Sequence, residues 1–67
     1  MSRDAEEVEL ELLIKAETPA AYLVAEAEDE EGVWLPKSQI DVEGNPQKGK
    51  VSTFLIPEWL AIEKGLV

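Results

Sequence analysis

A stretch near the start of the chain alternates between apolar and polar side chains, and this pattern constrains the fold more than any other feature. Over residues 8–17, every second residue from Val8 to Ala16 is apolar, and the opposite face is charged except for Leu13. A period of two residues is typical of a strand with one buried face. Pro19 ends the run because proline has no backbone N–H to donate to a sheet. The chain is therefore predicted to begin with a strand that packs one face on a core.

The next segment is compatible with a strand or a helix. Its alanine and glutamate content favours a helix over residues 20–31, whereas the central Tyr22-Leu23-Val24 favours a strand over residues 20–27. We expect the strand, with Glu26 and Glu28 on the same face as Tyr22 and Val24.

Short elements separated by turn-forming residues are predicted for the middle of the chain. In order, they are a turn over residues 29–32, a third strand over 33–35 that ends at Pro36, a helical turn over 37–39, an extended segment over 40–43, a loop over 44–49 and a last strand over 50–56. Both faces of this last strand are largely apolar or β-branched, so we expect it to be the most buried.

A short helix over residues 57–64 is the clearest local prediction. Pro57 suits the first helical position, and Gly65 suits the position just past the last turn, where it lets Leu66 fold back onto the helix. Trp59 and Ile62 lie three residues apart and share a face with Leu60 beside them. We expect this apolar stripe to dock on the sheet or on a partner, because so short a helix is unstable alone.

With 67 residues, the chain can form a single small domain. The predicted fold class is α+β and β-rich: four or five antiparallel strands, curled into an SH3-like or OB-like partial barrel and closed by the C-terminal helix. Residues 1–6 are expected to be disordered. A domain of this size has a small core and no disulfide, so oligomerisation is an option.

Negative charge is concentrated in the first half of the chain. The net charge is −9; residues 1–31 contain 11 acidic and two basic residues, and residues 32–67 contain four of each. A chain of this charge repels phosphates, so we expect no direct binding to nucleic acid.

The sequence predicts neither a membrane span nor export. No apolar run approaches about 18 residues, and residues 1–7 are acidic where a signal peptide would be basic and then apolar. Cysteine is absent, which fits a reducing compartment. We expect a cytoplasmic protein.

The chain lacks the residues that most kinds of enzyme catalysis require. Histidine and cysteine are absent, which excludes serine triads, cysteine–histidine pairs and zinc sites. So small a domain offers little material for a pocket that separates the pKa values of two carboxylates. Residues 28–31 are acidic but lack the alternating acids and central glycine of a calcium loop, and no glycines have the spacing of a phosphate loop. We expect no enzyme activity, no cofactor and no metal.

The acidic residues offer the strongest candidate for a binding surface. Glu9 and Glu11 project from the first predicted strand, and Glu26 and Glu28 from the second. Alternate residues on a strand lie about 6.8 Å apart, twice the axial phosphate rise of about 3.4 Å per strand of duplex DNA. Two such rows would resemble a nucleic-acid backbone, and Asp29 and Glu30 in the neighbouring turn are further candidates for partner binding. The alternative is that these acids are simply solvated and keep the protein soluble.

Trp34 and Trp59 allow two interpretations. Tryptophan is mostly buried, so packing in the core or between sheet and helix is the default. The alternative is an exposed anchor in a protein interface, where tryptophan is enriched.

Two segments of the chain resemble a known group of proteins. Residues 33–40 read VWLPKSQI and residues 56–66 read IPEWLAIEKGL. Over residues 20–67, the chain resembles small uncharacterised proteins of bacteriophages and prophages, which combine a Trp-aliphatic-Pro-Lys-Ser segment with a C-terminal Ile-Pro-x-Trp-Leu helix. The resemblance implies a phage-encoded accessory protein that acts in the bacterial cytoplasm; it carries no functional residues with it.

Two functions follow as hypotheses. In the first, a non-catalytic phage accessory protein binds a basic host or phage protein through its acidic surface, in its narrowest form as a nucleic-acid mimic or inhibitor of a defence or DNA-handling system. The alternative is an assembly module that forms homo-oligomers through exposed apolar residues such as Leu13, Trp59 or Leu60. The candidate partner-binding residues are Glu9, Glu11, Glu26, Glu28, Asp29, Glu30, Trp34 and Trp59.

Overall fold

Five strands and one short helix make up residues 6–67, the part of the chain that the computed structural model describes. Their bounds, in chain order, are β1 Glu7–Glu17, β2 Ala21–Ala25, β3 Val33–Pro36, a 3-10 turn Lys37–Gln39, β4 Asp41–Val42, β5 Val51–Pro57 and α1 Glu58–Glu63. The predicted β-rich fold with a C-terminal helix is confirmed at this level. The predicted disorder of residues 1–6 falls, apart from Glu6, outside the described residues.

All five strands belong to one antiparallel sheet with the order β3-β2-β1-β5-β4. The two edge strands, β3 and β4, are joined by residues 37–40 alone, three of which form the 3-10 turn. This connection spans at most about 14 Å, because a 3-10 turn rises only about 2 Å per residue. The edges of a flat five-stranded sheet would lie about 19 Å apart. The sheet therefore has to curve.

The core lies on the inner face of this curved sheet, under α1. Phe54 and Tyr22 meet edge to face in its centre, with ring centroids 5.7 Å apart and an interplanar angle of 78°, a favoured geometry for aromatic pairs. The predicted apolar face of β1 is confirmed, since Leu12 and Ile14 are buried. The buried residues of the core are Leu12, Ile14, Tyr22, Val24, Leu35, Ile40, Phe54, Ile56, Leu60 and Ala61.

A β-bulge at Lys15 changes which residues of β1 share a face. Ile14 pairs with Val24 and Ala16 with Leu23, so Lys15 has no partner in β2. One extra residue reverses the alternation. Ala16, predicted to lie on the buried face, therefore lies beside Leu23 on the outer face. Bulges depend on pairing with a distant strand, and the alternation of β1 alone gives no sign of this one.

The second segment is a strand, as predicted, but it is shorter than expected. It ends at Ala25, and residues 26–32 form the connection to β3. This connection returns close to β2 at Gly32, which has a φ of 87°. A Cβ atom there would lie 2.8 Å from the carbonyl oxygen of Val24. Glycine is thus required at this position, both for its backbone conformation and for the close approach.

The prediction that the last strand, β5, is the most buried is wrong, since a larger share of β2 is buried. Phe54 and Ile56 are fully buried on the inner face, whereas Val51 on the outer face is 62% exposed. The reason is that α1 covers one side of the sheet only, packing on β1 and β5. Apolar composition alone does not distinguish a strand covered on both faces from one whose outer face is apolar and exposed.

The end of α1 has the predicted Schellman geometry. Gly65 has a φ of 76°. Its N–H donates to the carbonyl oxygen of Ile62 at 3.1 Å, and the N–H of Leu66 donates to that of Ala61 at 2.8 Å. These two bonds define the motif, and Leu66 packs against the core. At the other end, Pro57 is the extended residue that precedes the helix and not its first helical residue.

Of the apolar stripe predicted for α1, only Leu60 docks on the sheet. Leu60 and Ala61 are buried, whereas Trp59 is 51% and Ile62 59% exposed. The helix follows β5 without a loop, and the N–H of Glu58 donates to the carbonyl oxygen of Glu6 at 2.8 Å. The direction in which the chain leaves β5 therefore sets the rotation of the helix, and the spacing of apolar residues within it does not.

No helix within residues 6–67 is long and apolar enough to cross a membrane.

Candidate protein-binding surface

The outer face of the sheet, away from the core, carries two distinct groups of side chains. Strand register assigns both groups, because residues paired across antiparallel strands share a face. We call the first group the acidic half; it consists of Glu7, Glu9, Glu11, Asp41 and Glu43. We call the second group the apolar half; it consists of Leu13, Ala16, Ala21, Leu23, Ala25, Trp34, Pro36 and Val51.

The acidic half spans three adjacent strands. Glu9 pairs with Leu55 of β5, which pairs on its other side with Asp41 of β4. Two residues further along β1, Glu11 pairs with Thr53 of β5. The carbonyl oxygen of Thr53 accepts a hydrogen bond from the N–H of Glu43 at 2.9 Å. The acids of β1 and those at β4 are therefore about 10 Å apart across the sheet, because β5 lies between them. Neighbouring acids along one strand are about 6.8 Å apart. All five carboxylate residues are exposed.

A shallow groove borders the acidic half at the β4–β5 loop. It has a volume of about 680 Å³, with Glu11 on one side and Glu43 on the other, and Thr53 is part of its lining. Asn45, Gln47 and Lys50 also contribute to its walls. The groove is thus lined by two carboxylates and by other polar side chains that can donate or accept hydrogen bonds.

Two lysines are engaged away from the acidic half. The Nζ of Lys37 lies 2.6 Å from a carboxylate oxygen of Glu17 and 4.7 Å from the centroid of the Tyr22 ring. The Nζ of Lys15 donates to the carbonyl oxygens of Glu28, at 3.1 Å, and Glu30. Among the residues that the structure describes, no ion pair links a lysine to the acidic half, so its negative charge is not cancelled by direct contacts.

The prediction of two acidic rows on β1 and β2 is wrong. Glu26 and Glu28 lie in the β2–β3 connection, beyond the end of β2, together with Asp29 and Glu30. All four are exposed, and Lys15 binds the backbone of this connection. The strand ends early because the chain turns toward Gly32 to pack closely against β2. Glu26 and Glu28 therefore do not extend the surface formed by Glu9 and Glu11.

Asp41 and Glu43 complete the acidic half, and sequence reasoning missed them. They lie in the part of the chain where acids and bases balance, so a charge count by halves does not single them out. The alternation in Ile40-Asp41-Val42-Glu43 was a usable signal, since it places both acids on one face. That this face continues the face of Glu9 and Glu11 follows only from the pairing of both β1 and β4 with β5.

The two tryptophans are exposed on different elements. Trp34 is 45% exposed and pairs with Leu23 on the outer face of the sheet, whereas Trp59 projects from α1. The default expectation of burial is wrong for both. The eight candidate residues therefore form no single site: Glu9 and Glu11 belong to the acidic half, Trp34 belongs to the apolar half, and the remaining five lie in the β2–β3 connection or on α1.

The carboxylates of the acidic half are spread over the sheet and do not converge on one point. Within residues 6–67, no group of three or more acidic side chains is arranged to hold a metal ion. Carboxylates about 7 to 10 Å apart match several separate positive charges better than a single ion. This spacing suits the side chains of a basic macromolecular surface.

No family model, curated protein or solved structure matches this chain. Its function is therefore inferred from its own residues and their arrangement.

Proposed function

We propose that this chain is a non-catalytic accessory protein that binds a basic protein partner through the acidic half of its outer sheet face. The observation that carries the proposal is the strand register, which gathers Glu9, Glu11, Asp41 and Glu43 on one face around Thr53 and Leu55. Complementary charge steers diffusional encounter and selects partners by the sign of their surface. The partner is expected to present lysines or arginines spaced about 7 to 10 Å apart.

A narrower form of the proposal is that the acidic half mimics a nucleic-acid backbone. Glu7, Glu9 and Glu11 form one row along β1, with neighbours about 6.8 Å apart, twice the phosphate rise of about 3.4 Å along a duplex strand. A protein that binds phosphates with arginine and lysine would find carboxylates at comparable intervals. The partner would then belong to a DNA-handling or defence system.

The setting proposed for this activity is a bacterial cytoplasm, with the protein encoded by a phage or prophage. Its support is the resemblance of residues 20–67 to small phage proteins, carried by Trp34-Leu35-Pro36-Lys37-Ser38 and by the Ile56-Pro57-Glu58-Trp59-Leu60 segment. The scaffold is proposed to be a partial barrel of the SH3-like or OB-like kind, which is supported by the short connection between β3 and β4.

Two variants with the same change in net charge test the acidic half. The first neutralises it with E9Q, E11Q, D41N and E43Q, and the second neutralises the β2–β3 connection with E26Q, E28Q, D29N and E30Q. Each variant and the unaltered protein are used as bait for a bacterial lysate at about 0.05 M and about 0.5 M salt, since screening weakens exposed charge contacts. We expect a basic partner that is retained at low salt by the unaltered protein and the second variant, and lost from the first.

Equal binding by both variants would refute the role of the acidic half, since only its position distinguishes them. A captured partner that survives 0.5 M salt would also count against an electrostatic contact. The mimicry is tested separately by adding duplex DNA to the isolated complex. Displacement of the partner by DNA supports mimicry, whereas a complex insensitive to DNA restricts the proposal to ordinary binding of a basic protein.

A further inference from the structure

Half of β1 has a partner strand on only one of its two sides. β5 pairs with residues 7–13 of β1, whereas β2 pairs with residues 13–17 and ends at Ala25, opposite Leu13. Over residues 7–12, the side of β1 that continues the line of β2 therefore has no partner strand among residues 6–67. We call this side of residues 7–12 the open edge.

The backbone groups of three acidic residues point toward the open edge. On the other side of β1, Ile14 exchanges backbone hydrogen bonds of 2.9 and 2.7 Å with residues 49–50, next to β5, and the carbonyl oxygen of Glu6 accepts one from Glu58 at 2.8 Å. Successive residues of a strand direct their N–H and C=O groups to opposite sides, so the even-numbered residues face β5. The odd-numbered ones face the open edge, where no backbone hydrogen bond from residues 6–67 reaches them. They are Glu7, Glu9 and Glu11.

Side-chain exposure on the inner face agrees with an open edge. Val8 and Leu10 pair with Ile56 and Phe54 of β5, which are both fully buried. Val8 and Leu10 themselves are only half-buried, whereas Leu12, close to the end of β2, is buried. Because β5 covers one side of β1 along this whole stretch, solvent reaches Val8 and Leu10 at the open edge.

We propose that an extended segment of the basic partner adds to the open edge of β1 as a further strand. This inference rests on the proposed function, since it names the form in which the partner presents its positive charge. In strand addition, main-chain hydrogen bonds supply affinity and alternate side chains supply specificity. The added strand continues the line of β2, and we therefore expect it to run antiparallel to β1, as β2 does.

The side chains of β1 determine the sequence pattern of the added strand. Residues directly opposite each other on antiparallel strands have Cβ atoms about 4.5 to 5.5 Å apart, and pairs of opposite charge stabilise the sheet. The residues opposite Glu7, Glu9 and Glu11 are therefore lysine or arginine. The residues between them lie on the same face as Val8 and Leu10 and are apolar. The segment thus alternates basic and apolar residues.

The same acids disfavour a second copy of this chain at the open edge. Antiparallel pairing of two such edges would place glutamates directly opposite glutamates, and like charges in these positions destabilise a sheet. The two outer edges of the sheet are poorer sites for an added strand, because β3 ends with Pro36 and β4 has only two residues. Short edge strands and proline are features that hinder pairing with another chain.

Matched peptides test strand addition on the unaltered full chain. The probe alternates arginine and valine over about seven residues, which is enough to span the open edge. In the added strand, the N–H groups of the arginines point toward β1 and those of the valines point away. N-methylation of three arginines should therefore weaken binding about tenfold or more, since their hydrogen bonds are lost. N-methylation of the three valines keeps the same charge and should change the affinity by less than about twofold.

Amide hydrogen exchange detects the new hydrogen bonds in the protein itself. The N–H groups of Leu10 and Leu12 face β5 and are expected to exchange slowly in the free chain, whereas those of Glu9 and Glu11 are expected to exchange fast. A saturating concentration of the probe should slow the exchange of Glu9 and Glu11 about tenfold or more. The exchange of Leu10 and Leu12 serves as the internal control and should change little.

Equal binding of the two methylated peptides would overturn strand addition. If that binding is still lost at about 0.5 M salt, the electrostatic role of the acidic half stands without it. Protection of Glu9 and Glu11 that rises with protein concentration in the absence of peptide would assign the edge to a second copy and also overturn the proposal. A probe that binds through its arginine N–H groups, while the lysate yields no basic partner, would support the open edge and refute the proposed function.

Discussion

Lys15, the bulge residue of β1, donates a hydrogen bond from its Nζ to the backbone carbonyl oxygen of Glu28, 3.1 Å away. The same ammonium group also donates to the carbonyl oxygen of Glu30. Lys15 thus binds backbone oxygens of the β2–β3 connection, and the acidic side chains of this connection stay exposed. Lys15 thereby ties the β2–β3 connection, which contains no helix or strand, to β1.

Replacing Lys15 with methionine should loosen the β2–β3 connection without unfolding the sheet. Two charge-assisted bonds at a partly exposed site are lost, and we expect the free energy of unfolding to fall by about 1 kcal/mol. Amide hydrogen exchange of residues 26–32 should accelerate more than that of β1 or β5. The control is K48M, since Lys48 and Lys15 both line a hollow beside Leu13, but Lys48 donates no bond to the backbone of residues 26–32. Equal acceleration in both variants would contradict the role of Lys15.

Two glycines with similar backbone angles should differ in their tolerance of alanine. Gly32 and Gly44 have φ values of 87° and 76°, so alanine costs about 1 kcal/mol of conformational strain at either. At Gly32 the new Cβ would also lie 2.8 Å from the carbonyl oxygen of Val24, whereas nothing lies within 4 Å at Gly44. G32A should therefore lower the melting temperature clearly more than G44A. A difference under about 2 °C would show that β2 yields easily to the added methyl group.

Truncation of Phe54 should remove most of the stability of this domain. Phe54 is fully buried and contacts the Tyr22 ring edge to face. Replacing a buried phenylalanine with alanine costs about 3 to 5 kcal/mol, and a single core of this size supplies little more than that. We expect F54A to be largely unfolded by circular dichroism at 25 °C, and F54L to remain folded with a lower midpoint in urea. A folded F54A with a sharp urea transition would mean that the core is stabilised elsewhere.

Truncation of two neighbouring residues of α1 should change the stability by very different amounts. Leu60 is buried against the sheet, whereas Trp59 is 51% exposed. L60A should lower the free energy of unfolding by about 2 to 4 kcal/mol, and W59A should change it by less than about 0.5 kcal/mol. Urea unfolding followed by far-UV circular dichroism measures both. The reverse order would support the docking face that the apolar spacing of the sequence predicts.

Local signals in the sequence were sufficient to predict the strands, the turns and the end of the helix. The alternation from Val8 to Ile14, the Tyr-Leu-Val centre of β2 and the Gly65-Leu66 stop each act within a few residues. Their physical causes do not depend on distant parts of the chain. These causes are the direction of side chains on a strand, β propensity and the positive φ of glycine. The bounds of these elements are accordingly confirmed to within one or two residues.

By itself, the sequence determined that this chain forms a β-rich domain with a negatively charged surface, because alternation and net charge are properties of neighbouring residues and of simple counting. Tertiary structure alone decided which acids stand together, through the pairing of β1 and β4 with β5. It also decided that Trp34 and Trp59 face outward. Strand order, register and helix rotation arise from contacts between residues far apart in the chain, and no local pattern encodes them.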